Sequence, residues 1–265
     1  MTFFEQLSNR IKSIDSILCI GLDPNPLNLP DHLQDDDLPS WSFNRRIIDA
    51  THSYAAAYKP NAAYYETPNG WISLIETIAY AHGKGVPVIL DAKRADIGNT
   101  AHQYAKILDI VDAITVNPYM GLDSLSPFLS RSDTGVFILC RTSNPGGSDL
   151  QNLQLSNGSP LYEHVARLAH SWNEQKNIGL VVGATNPSEL KKVREIAPDL
   201  PFLVPGIGAQ NGDVESAAKY CLSSNKIGLV NSSRSIIFAG SGDTFDKAAG
   251  DAAKRARNML NQFLK

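Results

Sequence analysis

The sequence has few cysteines, and none of them are closely spaced. Its three cysteines, Cys19, Cys140 and Cys221, are scattered and form no C-x-x-C pair. An odd number of isolated cysteines argues against both a disulfide framework and a cysteine-based zinc site. The six histidines are also dispersed and include no H-E-x-x-H pair. We therefore expect no metal site.

Long apolar runs and a large excess of one charge are also missing. No run of about 20 apolar residues could form a membrane-spanning helix, and residues 1–7 lack the basic start and apolar core of a signal peptide. The net charge of −3 gives no general basic field for nucleic acid or anionic membranes. These features predict a cytoplasmic protein that binds neither nucleic acid nor membrane.

The apolar residues that are present fall into short runs separated by helical patterns. The eight predicted strands are 17–22, 55–59, 87–91, 113–117, 135–140, 178–182, 201–204 and 227–231. The runs are nearly continuous rather than alternating, which is typical of strands buried on both faces of a parallel sheet. A length of 265 residues fits one (β/α)₈ barrel, which typically needs about 250. The sequence therefore predicts an α/β fold, a single TIM-barrel domain over residues 1–265.

Helical patterns and two long loops lie between these strands. The predicted helices are 43–54 after an N-cap at Ser42, 71–82, 161–172, one that opens at Pro187, and 245–264. Residues 24–40 and 141–160 are predicted loops after the first and fifth strands. Loops of this length in a compact domain are often functional lids, and both would lie on the C-terminal face where barrel active sites form.

Polar residues follow every predicted strand, which favours a catalytic barrel over a purely structural one. Asp91 and Lys93 are two residues apart, so a continuing strand would point both side chains the same way. Lys59 ends the second strand and could add another ammonium group. These residues could instead have purely structural roles. Asp96 or Asn99 could cap a helix, and Asp91 and Lys93 could form a simple ion pair. Lys59 could be a solvated lysine at the rim of the barrel.

A phosphate site is predicted after the last two strands. Residues 204–212 are glycine-rich and precede a helix, so backbone N–H groups and the helix N-terminus could hold an anion. Arg234 follows the eighth strand and suits bidentate phosphate contact. The loops after strands seven and eight are the usual phosphate site of these barrels.

The segment Asp91-Ala92-Lys93-Arg94-Ala95-Asp96-Ile97-Gly98-Asn99-Thr100 resembles the hallmark motif of the orotidine 5′-monophosphate decarboxylases. Further similar segments, in the same order along the chain, are 21–24, 58–61, 205–210 and 233–234. Gly98, where many relatives carry proline, and the long loops indicate a longer subclass of the family.

The resemblance implies roles for particular residues. Lys93 would protonate C6 of the pyrimidine as CO₂ leaves, Asp91 would sit against the substrate carboxylate, and Lys59 would complete the charge array with Asp96. The substrate-binding residues implied are Asp23, Asn61, Ile97, Thr100, Ser143, Pro205, Gln210 and Arg234. Asp96, Ile97 and Thr100 would reach into the site of a neighbouring subunit, so the resemblance implies a homodimer. The family uses no metal and no organic cofactor.

Three other activities remain as alternatives. Metal-dependent sugar-phosphate decarboxylases or synthases share the Asp-x-Lys-x-x-Asp motif, but they place a metal-binding Glu where this sequence has Lys59. A Schiff-base aldolase could use Lys59 or Lys93. A non-catalytic barrel could bind a phosphorylated ligand without turning it over.

Overall fold

A computed structural model describes residues 1–207 and 213–264 of the chain. Within this part, eight parallel strands form one sheet with the neighbour order β2-β1-β8-β7-β6-β5-β4-β3. The strands are β1 (Leu18–Leu22), β2 (Ala57–Pro60), β3 (Ile89–Arg94), β4 (Ala113–Val116), β5 (Gly135–Arg141), β6 (Ile178–Val182), β7 (Phe202–Pro205) and β8 (Leu229–Ser232). Parallel bridges from Tyr58 to Val88 and from Asn61 to Asp91 join β2 to β3. The sheet is thus closed, and the predicted (β/α)₈ barrel is confirmed.

Helices surround the barrel and connect its strands. They are α1 (Phe3–Ile14), α2 (Asp31–Gln34), α3 (Pro39–Thr51), α4 (Gly70–Gly83), α5 (Gly98–Ala105), α6 (Leu122–Leu129), α7 (Ser148–Gln151), α8 (Leu161–Ser171), α9 (Pro187–Ile196), α10 (Val214–Cys221), α11 (Arg234–Ile237) and α12 (Phe245–Asn261). None of the described helices is long and apolar enough to cross a membrane.

Two predicted helices have different boundaries in the structure. The helix predicted over 43–54, with an N-cap at Ser42, runs from Pro39 to Thr51 as α3. Proline suits a first helical position because its φ is fixed and the N–H it lacks would be unpaired there anyway. At the C-terminal end, α12 stops at Asn261 rather than at 264.

A layer of inward-facing side chains, one from each of the eight strands, fills the interior of the barrel. This layer contains Cys19, Ala57, Ile89, Ala113, Phe137, Val181, Leu203 and Leu229. Phe3, Phe4 and Leu7 of α1 pack beneath it, and the Phe3 and Phe137 rings meet edge to face with centroids 6.1 Å apart. The N-terminal end of the barrel is therefore plugged by α1, an element that the sequence patterns did not predict.

Candidate active site

Asp91 lies at the centre of a charged cluster at the C-terminal end of the barrel. Alternation along the strands places its side chain inside, one level above Ile89. Lys59 Nζ, from the neighbouring β2, lies 2.8 Å from Asp91 Oδ2. Lys93 Nζ lies 2.6 Å from Asp91 Oδ1, and Thr115 Oγ1 on β4 donates to the same oxygen at 2.9 Å. One carboxylate is thus held by two ammonium groups and a hydroxyl.

Lys93 reaches this cluster because the strand is irregular, not because it continues. The register between β3 and β4 shifts between Leu90 and Arg94, and Lys93 has a left-handed φ of 49°. Such a backbone conformation is uncommon for a residue other than glycine. The prediction that Asp91 and Lys93 converge is confirmed, but the regular strand on which it rested was wrong.

The charges of the cluster hold one another ionised despite their burial. Burial alone would lower the pKa of Lys59, which is only 5% exposed, but Asp91 and Asp23 outweigh it and raise the pKa above its ordinary value. Burial alone would raise the pKa of Asp91, but Lys59 and Lys93 outweigh it and hold that pKa well below its usual range. At neutral pH the pair is therefore charged on both sides.

A cavity of about 290 Å³ opens beside this cluster. Lys59, Asp91, Lys93 and Thr115 form its charged and polar wall. The remaining lining residues are Leu139, Thr142, Ser143, Asn144, Val181, Leu203 and Pro205. The cavity therefore combines a charged and polar side, contributed by β2 to β4, with apolar residues from β5 to β7 and polar residues from the loop after β5.

Ser143 reaches the cavity on the loop after β5, as predicted. A side chain at Gly183 would come within 2.9 Å of the Ser143 backbone, so the close approach of this loop requires glycine there. The loop is tied down at Thr142, whose N–H donates to Gln151 Oε1 at 2.9 Å. Beneath it, Arg141 Nε lies 2.8 Å from Glu189 Oε2, and Arg141 is almost fully buried.

A second, smaller cavity of about 150 Å³ adjoins the first at Pro205. Its other lining residues are Asp23, Gly206, Ile207, Asn231, Ser233, Arg234 and Ser235. The exposed Arg234 opens α11, and Pro205 and Gly206 come from the segment predicted to hold phosphate. Gln210, predicted to share this role, lies outside the described residues.

Two buried oxygens in this second cavity have no partner among the described residues. Asp23 Oδ2 accepts a hydrogen bond from Ser233 Oγ at 2.6 Å, whereas Asp23 Oδ1 and Asn231 Oδ1 accept none. Ser233 can approach because Gly21 has no side chain, which would otherwise lie 2.7 Å from Ser233 Cβ. Unpaired buried acceptors are costly, so both oxygens are suited to a ligand that donates hydrogen bonds.

The remaining predicted site residues lie at the rim. Asp96 is half-buried and its Oδ1 accepts from the N–H of Ile97, while Ile97 and Thr100 are exposed. These three do not line either cavity of their own chain. Asn61 pairs with Asp91 through a backbone bridge and caps a short 3₁₀ turn with its Oδ1, which accepts from Ala63 N at 3.2 Å.

Thr115, Asn231 and Ser233 line the two cavities, but the sequence patterns assigned them no role in the site. Thr115 and Asn231 lie within predicted strands, and Ser233 belongs to the segment 233–234 that resembles the family. The inward alternation from Ala113 to Thr115 and from Leu229 to Asn231 was the available signal. Within the described part of the chain, no group of three or more His, Cys, Asp or Glu side chains is placed to hold a metal ion.

Comparison with known proteins agrees with this geometry. Residues 16–245 match the model of the Orotidine 5'-phosphate decarboxylase / HUMPS family. The chain is 62% identical to orotidine 5'-phosphate decarboxylase of Haloarcula marismortui, over 99% of this chain and 100% of the relative. It belongs to the orotidine 5'-phosphate decarboxylase family.

Solved structures of this family share the fold. The structure of Leishmania donovani OMP decarboxylase is 41% identical, with a TM-score of 0.85 over 100% of this chain and 99% of that one. The structure of Leishmania donovani UMP synthase is 43% identical, with a TM-score of 0.88; the match covers 100% of this chain and 57% of that longer one. The barrel is therefore the fold of the orotidine 5'-phosphate decarboxylase family.

Proposed function

We propose that the chain decarboxylates orotidine 5′-monophosphate to UMP without a cofactor, the last step of de novo pyrimidine synthesis. The observation that carries this proposal is the Asp91 carboxylate, held between the ammonium groups of Lys59 and Lys93 at the wall of a cavity. The adjoining cavity with Arg234 would take the phosphate.

The reaction breaks the bond between C6 and the carboxylate carbon. The electron pair of that bond stays on C6 and CO₂ leaves, so negative charge develops at C6. Asp91 would face the substrate carboxylate and raise the energy of the bound substrate by charge repulsion. The Lys93 ammonium, whose side chain is 46% exposed beside the cavity, would stabilise the developing charge and then transfer its proton to C6. Solvent would restore the proton on Lys93.

Contacts between the protein and parts of the nucleotide remote from C6 would supply the free energy needed to hold the substrate carboxylate beside Asp91. Arg234 and, by resemblance, Gln210 would bind the phosphate. Asp23 Oδ1, which has no hydrogen-bond partner among the described residues, would accept from a ribose hydroxyl. Asn61 and Pro205 would complete the nucleotide contacts, and Ser143 on the loop after β5 would contact the pyrimidine. Such remote contacts can drive loop closure and expel water from the reacting centre.

The proposed active form is a homodimer in which Asp96, Ile97 and Thr100 act in the partner's site. Their position outside both cavities of their own chain supports this, as does the exposure of Ile97, which is 54%. A mixture of Asp96→Ala and Lys93→Ala subunits tests the proposal. Reassorted at random, half the dimers are mixed and each contains one intact site, so about a quarter of wild-type activity is expected. No activity above that of the separate variants would contradict the shared site.

The other candidate activities are disfavoured by the cluster itself. An ammonium at Lys59 would repel a divalent cation where the metal-dependent sugar-phosphate enzymes carry Glu. Asp91 and Asp23 raise the pKa of Lys59, which makes it a poor Schiff-base nucleophile. A non-catalytic barrel has no need for a buried charge array. The cytoplasmic location and the absence of nucleic-acid binding stay predictions from the sequence.

An absorbance assay of orotidine 5′-monophosphate with purified protein and excess EDTA tests the proposed reaction. We expect conversion to UMP with one CO₂ released per nucleotide, at the same rate with and without chelator. Turnover of a sugar phosphate that EDTA abolishes and Mg²⁺ restores, without turnover of orotidine 5′-monophosphate, would favour the sugar-phosphate enzymes. Borohydride inactivation in the presence of a ketose phosphate would favour the aldolase, and no turnover of any of these substrates would favour the binding protein.

A further inference from the structure

Thr115 connects the two parts of the cluster that the reaction uses. Its Oγ1 donates to Asp91 Oδ1 at 2.9 Å and accepts from the backbone N–H of Lys93, also at 2.9 Å. A threonine hydroxyl has one proton to donate and two lone pairs. Both roles of this hydroxyl, as a donor and as an acceptor, are therefore in use within the cluster.

The contact to Lys93 falls where the backbone is strained. Lys93 has a φ of 49°, inside the irregular stretch where β3 loses its register with β4. Conformations of this kind persist only where the surroundings fix them. The N–H of Lys93 has lost its place in a regular strand ladder, and the Thr115 hydroxyl supplies its partner.

The contact to Asp91 fixes the carboxylate from a second direction. Asp91 Oδ2 receives Lys59, whereas Oδ1 receives both Lys93 Nζ and Thr115 Oγ1. Thr115 is only 1% exposed, so solvent has little access to replace the hydroxyl. Without the Thr115 hydroxyl, the Asp91 carboxylate could rotate toward either lysine, and the backbone of Lys93, from which its side chain extends, would no longer be fixed.

We propose that Thr115 is a positioning residue that sets the relative orientation of the Asp91 carboxylate and the Lys93 ammonium. It would touch neither the nucleotide nor the reacting atoms. Its effect would appear in the chemical step rather than in nucleotide binding, because the Arg234 cavity lies at the other end of the site. This inference rests on the proposed decarboxylation.

Thr115→Val removes the hydroxyl and keeps the shape of the side chain. Since hydrogen bonds to charged groups are among the stronger ones, we expect kcat to fall by about tenfold to a hundredfold. The affinity for UMP, which has no carboxylate to be repelled, should change by less than about threefold. Thr115→Ser restores the hydroxyl and should recover most of the lost kcat.

Thr77→Val provides a matched control. Thr77 is also 1% exposed, donates to Ser73 O at 2.7 Å and accepts from Asn44 Nδ2 at 3.0 Å, but it lies on α4, facing α3, outside the barrel. Thr77→Val should lower the stability of the protein about as much as Thr115→Val does, and it should leave kcat unchanged. If Thr115→Val does not fold, Thr115→Cys, with a weakly hydrogen-bonding thiol of similar size, takes its place.

Three outcomes would overturn the proposal. The first is a Thr115→Val enzyme with wild-type kcat, and the second is a Thr115→Ser enzyme as slow as Thr115→Val. The third is an equal loss of UMP affinity and kcat, which would indicate general distortion. A crystal structure of Thr115→Val gives a readout that does not depend on activity: we expect Lys93 or Asp91 to adopt a different conformation. Inactive wild-type protein would instead refute the decarboxylation, whatever the variant's structure.

Discussion

Replacing Asp91 by Asn should destabilise the protein as well as inactivate it. The substitution keeps the side-chain shape but leaves the Lys59 ammonium, whose side chain is 6% exposed, without the carboxylate 2.8 Å away. Removing one partner of a buried ion pair typically costs about 3–5 kcal/mol. Lys93 is half exposed and can turn toward solvent, so we expect the lower end, about 3 kcal/mol. That is a large share of the ~5–15 kcal/mol by which domains are usually stable.

Urea unfolding followed by tryptophan fluorescence measures this cost. The urea concentration at the midpoint of unfolding should fall, while the slope of the unfolding free energy against urea concentration stays constant. This combination identifies a change in stability rather than in the surface exposed on unfolding. Glu66→Gln is the control, because Glu66 is exposed and its ion pair with Arg94, at 3.2 Å, should be worth less than about 1 kcal/mol. Removing both charges with Lys59→Met and Asp91→Leu should recover much of the loss. An Asp91→Asn protein as stable as Glu66→Gln would refute the idea that mutual charge holds the cluster together.

Two further predictions concern the phosphate cavity and the far end of the barrel. Arg234→Ala should raise KM and lower kcat/KM by about a hundredfold or more, since it removes a charged contact; an unchanged kcat/KM would exclude a phosphate role. His82 Nε2 lies 2.7 Å from Asp112 Oδ2, and this hydrogen bond raises the pKa of His82. Its stabilising contribution is therefore present below pH ~6.5 and is lost as the pH rises through the raised value. Because the pair is partly exposed, the free energy of unfolding should change by at most about 1 kcal/mol over this pH range. Urea unfolding of His82→Gln at the same pH values should not show this change.

The barrel could be predicted from the sequence because its strands are buried on both faces. Runs such as Ile178–Val182 are apolar without interruption, and the structure places this strand at the predicted residues. The plug formed by α1 could not be predicted in the same way. Phe3 and Phe4 pack against Phe137, more than a hundred residues away, and no local pattern records such a contact.

The site was predictable where polar residues end strands, and not where the backbone departs from regular geometry. Lys59, Asp91 and Lys93 meet as expected. The bulge that turns Lys93 inward has no signature in residue type, because lysine does not favour a positive φ. Thr115 was missed for a related reason: a single hydroxyl in a buried strand is usually a packing residue, and only the bulge gives it two partners.

The most direct test of the account is the Lys93→Ala variant, measured for both UMP binding and turnover of orotidine 5′-monophosphate. If the Lys93 ammonium stabilises and protonates C6, the variant should bind UMP yet lose turnover by many orders of magnitude. Retention of even a few per cent of wild-type activity would contradict that role and leave the charged cluster without its proposed function.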